Sequence, residues 1–104
     1  LAHQRIAIHS AIAPIVRGGR HLIEQSAPMR RTIRARRDML REQLEAQFER
    51  ELRGRTAADG RELLSALEVC CSFEAIEYLR VVAAHSAEEA EAILTRSLLA
   101  LLAR

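Results

Sequence analysis

The chain has no lysine and no tryptophan, and its 104 residues include only four glycines, two prolines and three aromatics (Phe48, Phe73 and Tyr78). With so few turn formers, and no sustained alternation of apolar and polar residues, the sequence argues against sheet and predicts helix throughout. No apolar run reaches the roughly 18–20 residues of a membrane span, so no membrane partner is expected. The opening LAHQRIAIHS lacks the charged region of a secretory leader and starts in mid-amphipathic pattern. Only two cysteines occur, Cys70 and Cys71, and they are adjacent. Neighbouring residues rarely close a disulfide, which points to reduced thiols and a cytoplasmic protein. A phosphate-cradling loop is missing too, since Gly18-Gly19 is followed by Arg-His-Leu without P-loop spacing.

What remains is an ordinary soluble composition. Apolar residues make up 49% of the chain and charged ones 29%, enough to build a core and too apolar for disorder. The length suits a single domain, 1–104, near the size at which burial against a second copy becomes attractive. Fourteen acids nearly balance sixteen bases, all of them arginine, for a net charge of +2.

Four helical segments are predicted. The first covers 2–25, with Ile6, Ile12, Ile15, Val16, Leu22 and Ile23 as apolar anchors, and Pro14 and Gly18-Gly19 as weak points that could split it. The second runs over 27–53, with Ser26 as N-cap and Pro28 in its first turn. Met29, Ile33, Leu40, Leu44, Phe48 and Leu52 form its stripe, and Gly54 ends it. The third spans 58–83, capped by Thr56 or Asp59. The fourth starts at a capping box, Ser86 to Glu89, and presents Ala90, Ile93, Leu94, Leu98, Leu101 and Leu102.

Read as one continuous helix, the third segment is apolar on two sides. Leu63, Leu67, Cys70, Cys71, Tyr78 and Val81 fall in one arc, and Val69, Phe73 and Ile76 in another. A helix buried on two sides can face its own chain and a partner, so helices three and four are candidates for an intermolecular four-helix bundle; a central helix in a monomer would look similar. Glu74 falls inside the main arc. It is salt-bridged to an arginine of a neighbouring helix, turned to water by a slight rotation of its own helix, or the polar anchor of an apolar ligand cavity.

The stretch MRRTIRARRDML, residues 29–40, raises the question of nucleic acid, because Arg30, Arg31, Arg34, Arg36 and Arg37 crowd one short segment. Acids are interleaved at helical spacing, as in Arg34/Asp38, Arg41/Glu45 and Glu49/Arg53. The few aromatics sit at core positions, leaving none to stack on bases. A solvated, salt-bridged face is the expectation. His3, His9, His21 and His85 show no ligand spacing, and adjacent cysteines point about 100° apart on a helix, so no metal is expected. No acid or oxyanion loop accompanies a Cys/His pair, so catalysis is not expected; an enzyme using Cys70 or Cys71 would need a depressed thiol pKa.

RELLSALEVCCSFEAIEYLR (61–80) followed by SAEEAEAILTRSLLALL (86–102) resembles the C-terminal end of TetR-family transcriptional regulators. IAPIVRGGRHLIEQSAPMRRTIRARRDMLREQLEAQFEREL (12–52) looks like the ligand-domain helices that precede it. Two departures stand out: Ile76 occupies a place where Trp is common, and Ala84-His85 replaces a Gly-hydrophobic pair before Ser86. The resemblance implies an all-α antiparallel helical bundle whose last two helices form a dimeric four-helix bundle. It also implies a regulatory domain of the repressor type, binding a small apolar or amphipathic inducer, with no cofactor. DNA would be read by an N-terminal helix-turn-helix outside these residues. Ligand binding would shift the population of dimer arrangements and with it the spacing of the DNA-reading heads. The helical wheel supplies Ile33, Cys70, Phe73, Glu74 and Tyr78 as candidate ligand-binding residues. Leu67, Leu94, Leu98, Leu101 and Leu102 are candidates for the dimer interface. The alternative is a stand-alone helical dimer or adaptor with no ligand, in which Glu74 would be salt-bridged.

Overall fold

The computed structural model describes residues 1–25 and 27–103, except for the side chains of residues 20–25 and 29. The Ser26 cap and the anchors Leu22, Ile23 and Met29 lie outside the described residues. Among the described residues there is no strand, and the chain is all-helical. It comprises α1 (Ala2–Gln25), α2 (Ala27–Gln47), α3 (Glu49–Arg53), α4 (Ala57–Cys71), α5 (Phe73–Glu77), one π-helical turn (Tyr78–Val82) and α6 (Ala87–Leu102). No described helix is long and apolar enough to cross a membrane.

α1 lies against α2, α5 and α6, while α4 lies against α2, α3, α5 and α6. The core between them is built from Ala2, Ile6, Leu44, Phe48, Leu63, Leu64, Leu67, Cys71, Ile76, Ala90, Leu94 and Leu98. The molecule measures 41 × 32 × 18 Å, thin enough for about two layers of helix. Its radius of gyration, 14.7 Å, exceeds the roughly 13 Å typical of a compact domain this size. Charge ties the layers at the edge, where Arg41 Nη1 of α2 lies 3.0 Å from Glu68 Oε1 of α4.

α1 does not split. It runs through Pro14 and Gly18-Gly19, because its buried stripe is held by packing that outweighs the lost hydrogen bond. That stripe is not the expected one. Ala2, Ile6, His9 and Ala13 are buried, at steps of four, three and four, whereas Ile15 is 74% exposed. α2 and α3 together cover the predicted second helix, with only a local distortion at Phe48 (φ −112°, ψ 26°).

The predicted third helix is broken at Ser72, whose backbone is extended (φ −66°, ψ 155°). Ser72 closes α4 and caps α5, its Oγ accepting from Ala75 N–H at 3.1 Å. The break resets the helical phase, so a single wheel over 58–83 misplaces whatever follows it. Ile76 is 1% exposed in the core, while Tyr78, Val81 and Val69 are all more than half exposed. Burial on two sides of one long helix is therefore corrected to two short helices, each with its own buried side.

After α5 the chain widens into the π turn, closed by Ala83 N–H donating to Tyr78 O at 2.9 Å. Ala84 then takes a left-handed backbone (φ 56°), which lets His85 N–H reach back to Leu79 O at 2.9 Å. α6 begins as expected. Ser86 Oγ accepts from Glu89 N–H at 3.1 Å, and Glu89 Oε1 accepts from Ser86 N–H at 3.0 Å. Those bonds hold the Glu89 carboxyl below its usual range.

Candidate functional site

The sequence-derived ligand residues are not gathered around one cavity. Ile33 is half-buried on α2, and Cys70 packs partly buried against the core. Phe73 stacks on His9 with ring centroids 4.8 Å apart. Tyr78 is exposed. Glu74 is exposed as well, with its nearest cation, Arg37 Nη2, at 3.9 Å. Glu74 thus reaches water beside an arginine of the neighbouring α2 and is not a buried anchor, because the break at Ser72 rotates it out of the arc in which a continuous helix would place it.

The dimer candidates divide. Leu67, Leu94 and Leu98 are buried in the chain's own core, so they have no surface to offer a partner. Leu101 and Leu102 are partly buried against that core. The outward face of α6 is instead formed by Glu88, Glu91, Ala92, Thr95, Arg96 and Leu99, a shallow surface with acids towards its start and Arg96 and Leu99 towards its end. Leu99 is 64% exposed.

A cavity that sequence reading missed opens between α1 and the π turn. It has a volume of about 330 Å³ and is lined by His9, Ser10, Ala13, Pro14, Arg17, Arg80 and Val81. Its wall is anchored by one carboxylate, Glu77, at the end of α5. Arg17 Nε donates to Glu77 Oε2 at 2.7 Å, and Arg17 Nη2 donates to Oε1. His9 Nε2 also meets Oε1, at 3.0 Å. Because a carboxylate only accepts, the His9 proton on this side sits on Nε2. The Arg17 hydrogen bonds, followed by the weaker one from His9, pull the Glu77 carboxyl down to about 2.

His9 is 3% exposed, and its other nitrogen, Nδ1, is buried with no hydrogen-bond partner. Pro14 has no N–H to give the carbonyl of Ser10, one helical turn earlier. Arg80 donates from Nη1 to His85 O at 3.0 Å, tying the π turn to the loop before α6. Among the described residues Arg80 meets no carboxylate. A signal for this site did exist in the sequence: the steps 2, 6, 9, 13 put His9 on the buried stripe, and one further turn reaches Arg17.

The thiols run opposite to an activated cysteine. Burial pushes Cys70 up and Cys71 up to about 11, the nearby Arg5 guanidinium only partly offsetting the effect on Cys71. Among the described residues no group of three or more His, Cys, Asp or Glu side chains could hold a metal ion.

The arginines of 29–40 lie on an exposed face, as far as their side chains are described. Arg41 reaches Glu45 at 3.5 Å and Arg53 pairs with Glu49, whereas the expected Arg34/Asp38 pair does not form. No family model, no curated protein and no solved structure matches the chain.

Proposed function

We infer that the chain is the regulatory domain of a TetR-like transcriptional regulator, one that pairs with a second copy through α6 and responds to a small ligand. The observation that carries the reading is the self-complementary outer face of α6. An antiparallel copy crossing between Ile93 and Leu94 sets Glu91 against Arg96, Ala92 against Thr95 and Glu88 against Leu99, each pairing occurring twice. A two-fold interface requires such reciprocity. Small residues at the crossing, Ala92 and Thr95, allow close approach, and each Arg96 would face the partner's Glu91, whose carboxylate also meets His3 Nδ1 of its own α1 at 2.9 Å. The flat 18 Å slab, with Val69 of the adjacent α4 67% exposed, has surface to gain by pairing.

The backbone supports the family likeness at one further point. Ala84 is left-handed where the family pattern has glycine, the residue that adopts this conformation without strain. The chain keeps the turn and accepts its cost. The ligand would sit between α1 and the π turn, next to the loop that leads into α6, so that its occupancy could bias the dimer arrangement. DNA would be contacted through a helix-turn-helix outside these residues, with the arginine face of α2 left to solvent.

Light scattering tests the reading directly. The wild-type chain should have twice its 11.7 kDa monomer mass at micromolar concentration, and Leu99→Glu should shift it to monomer while its circular dichroism is retained. A wild-type monomer at all concentrations would overturn the reading.

A further inference from the structure

We propose that the cleft between α1 and the π turn is a binding site for a small monocarboxylate with a short apolar body, held by Arg80. The inference deepens the ligand half of the proposed function and rests on that half. It begins from charge. Of the two guanidinium groups on the cleft, Arg17 is neutralised by a two-point pairing with Glu77. Arg80 shares one nitrogen with the His85 carbonyl and, among the described residues, faces no acid. The lining thus carries one uncompensated positive charge, enough for one carboxylate and not for a dianion.

Shape and polarity agree. At about 330 Å³ the cleft is at the small end of ligand sites, and Ala13, Pro14 and Val81 supply an apolar wall beside the cation. His9, also in the wall, keeps a buried ring nitrogen without a partner; with the proton on Nε2 this Nδ1 is an acceptor, which a water donating to it, and not the carboxylate itself, would satisfy. The backbone has also been adapted here. Widening the helix over Tyr78–Val82 moves Arg80 and Val81 out of the α-helical phase of α5, and these are the two residues of that turn that line the cleft. Such π turns recur where a helix presents side chains to a functional site.

Calorimetric titration of benzoate and hexanoate into the chain, against benzamide and hexanamide at constant ionic strength, tests the proposal. The acids should bind saturably in the millimolar range or tighter, and the amides at least about tenfold more weakly, since losing a charge-assisted pairing is worth about one to two decades. Arg80→Gln should reduce acid binding to the level of the amides, with Arg80→Lys recovering part of it. Because Arg80 also ties down the loop before α6, Val81→Glu provides a second test. It adds a negative charge at a half-exposed position and should abolish binding of the acids with helicity unchanged.

Equal binding of acids and amides, failure of both acids to bind at millimolar concentration, or unaltered binding by Arg80→Gln would each overturn the proposal. Dimer mass measured on the same samples reports on α6 separately. A dimer that binds no carboxylate overturns this inference alone, and a monomer that binds one overturns the α6-paired regulatory reading while leaving the carboxylate site standing.

Discussion

Glu77 joins α1 to α5, and its removal should be felt in stability in a pH-dependent way. Glu77→Gln keeps an oxygen for His9 Nε2 but loses the charge that pairs with Arg17. The lowering of the carboxyl from 4.5 to about 2 would correspond to roughly 3 kcal/mol if fully expressed. Arg17 is half exposed, so solvent screening reduces the expected loss to about 1–2 kcal/mol. Glu77→Ala also removes the acceptor from the buried His9, adding about 1–3 kcal/mol. For a domain of this size, each kcal/mol lowers the Tm by about 4–8 °C.

The sign follows from the lowered folded-state value. The Glu77 charge stabilises fully above its ordinary value of 4.5, and that contribution is lost as pH falls towards about 2. Urea unfolding of wild type and Glu77→Gln should therefore give curves well separated at pH 6 that converge near pH 2. A constant gap across this range, or a gap below about 0.5 kcal/mol at pH 6, would refute the reasoning.

Four further outcomes are expected. Ala84→Gly, which relieves a left-handed alanine at some cost in unfolded-chain entropy, should raise stability by about 0.5–1 kcal/mol in a thermal melt. Ser86→Ala removes one half of the α6 capping box and should lower it by about 0.5–2 kcal/mol by the same assay. Ile76→Ala, at 1% exposure, should cost about 2–5 kcal/mol in urea titration, a value that an exposed second-face position would not give. Alkylation of native protein at pH 8 should reach Cys70 before Cys71, with Cys71 labelled only on unfolding.

Helix content, the α2–α3 stripe and the α6 capping box were legible in the sequence because local spacing and cap chemistry decide them. The break at Ser72 was legible only in principle. Ser72 followed by Glu74 is a helix-start signal, but the apolar residues on both sides mimic a continuous helix, and tertiary contacts of Ile76 decide the matter. Everything placed by one wheel beyond that point, Glu74 and Tyr78 above all, was displaced with it. Leu94 and Leu98 illustrate another limit: an apolar stripe shows that a face is buried, not whether the cover is the same chain or another. The cleft was hidden because it depends on His9, Glu77 and Arg80, two of them more than sixty positions from the first, and on a π turn that shifts the usual period.

Self-association through α6 is the claim on which the functional account turns, and a charge-swap cycle measured by sedimentation velocity tests it most directly. Arg96→Glu should set Glu91 against a like charge and give a monomer. Glu91→Arg combined with Arg96→Glu should restore the dimer, because the reversed pair again faces its opposite across the two-fold axis. A double variant that stays monomeric, or an Arg96→Glu variant that sediments as the wild type does, would contradict the account.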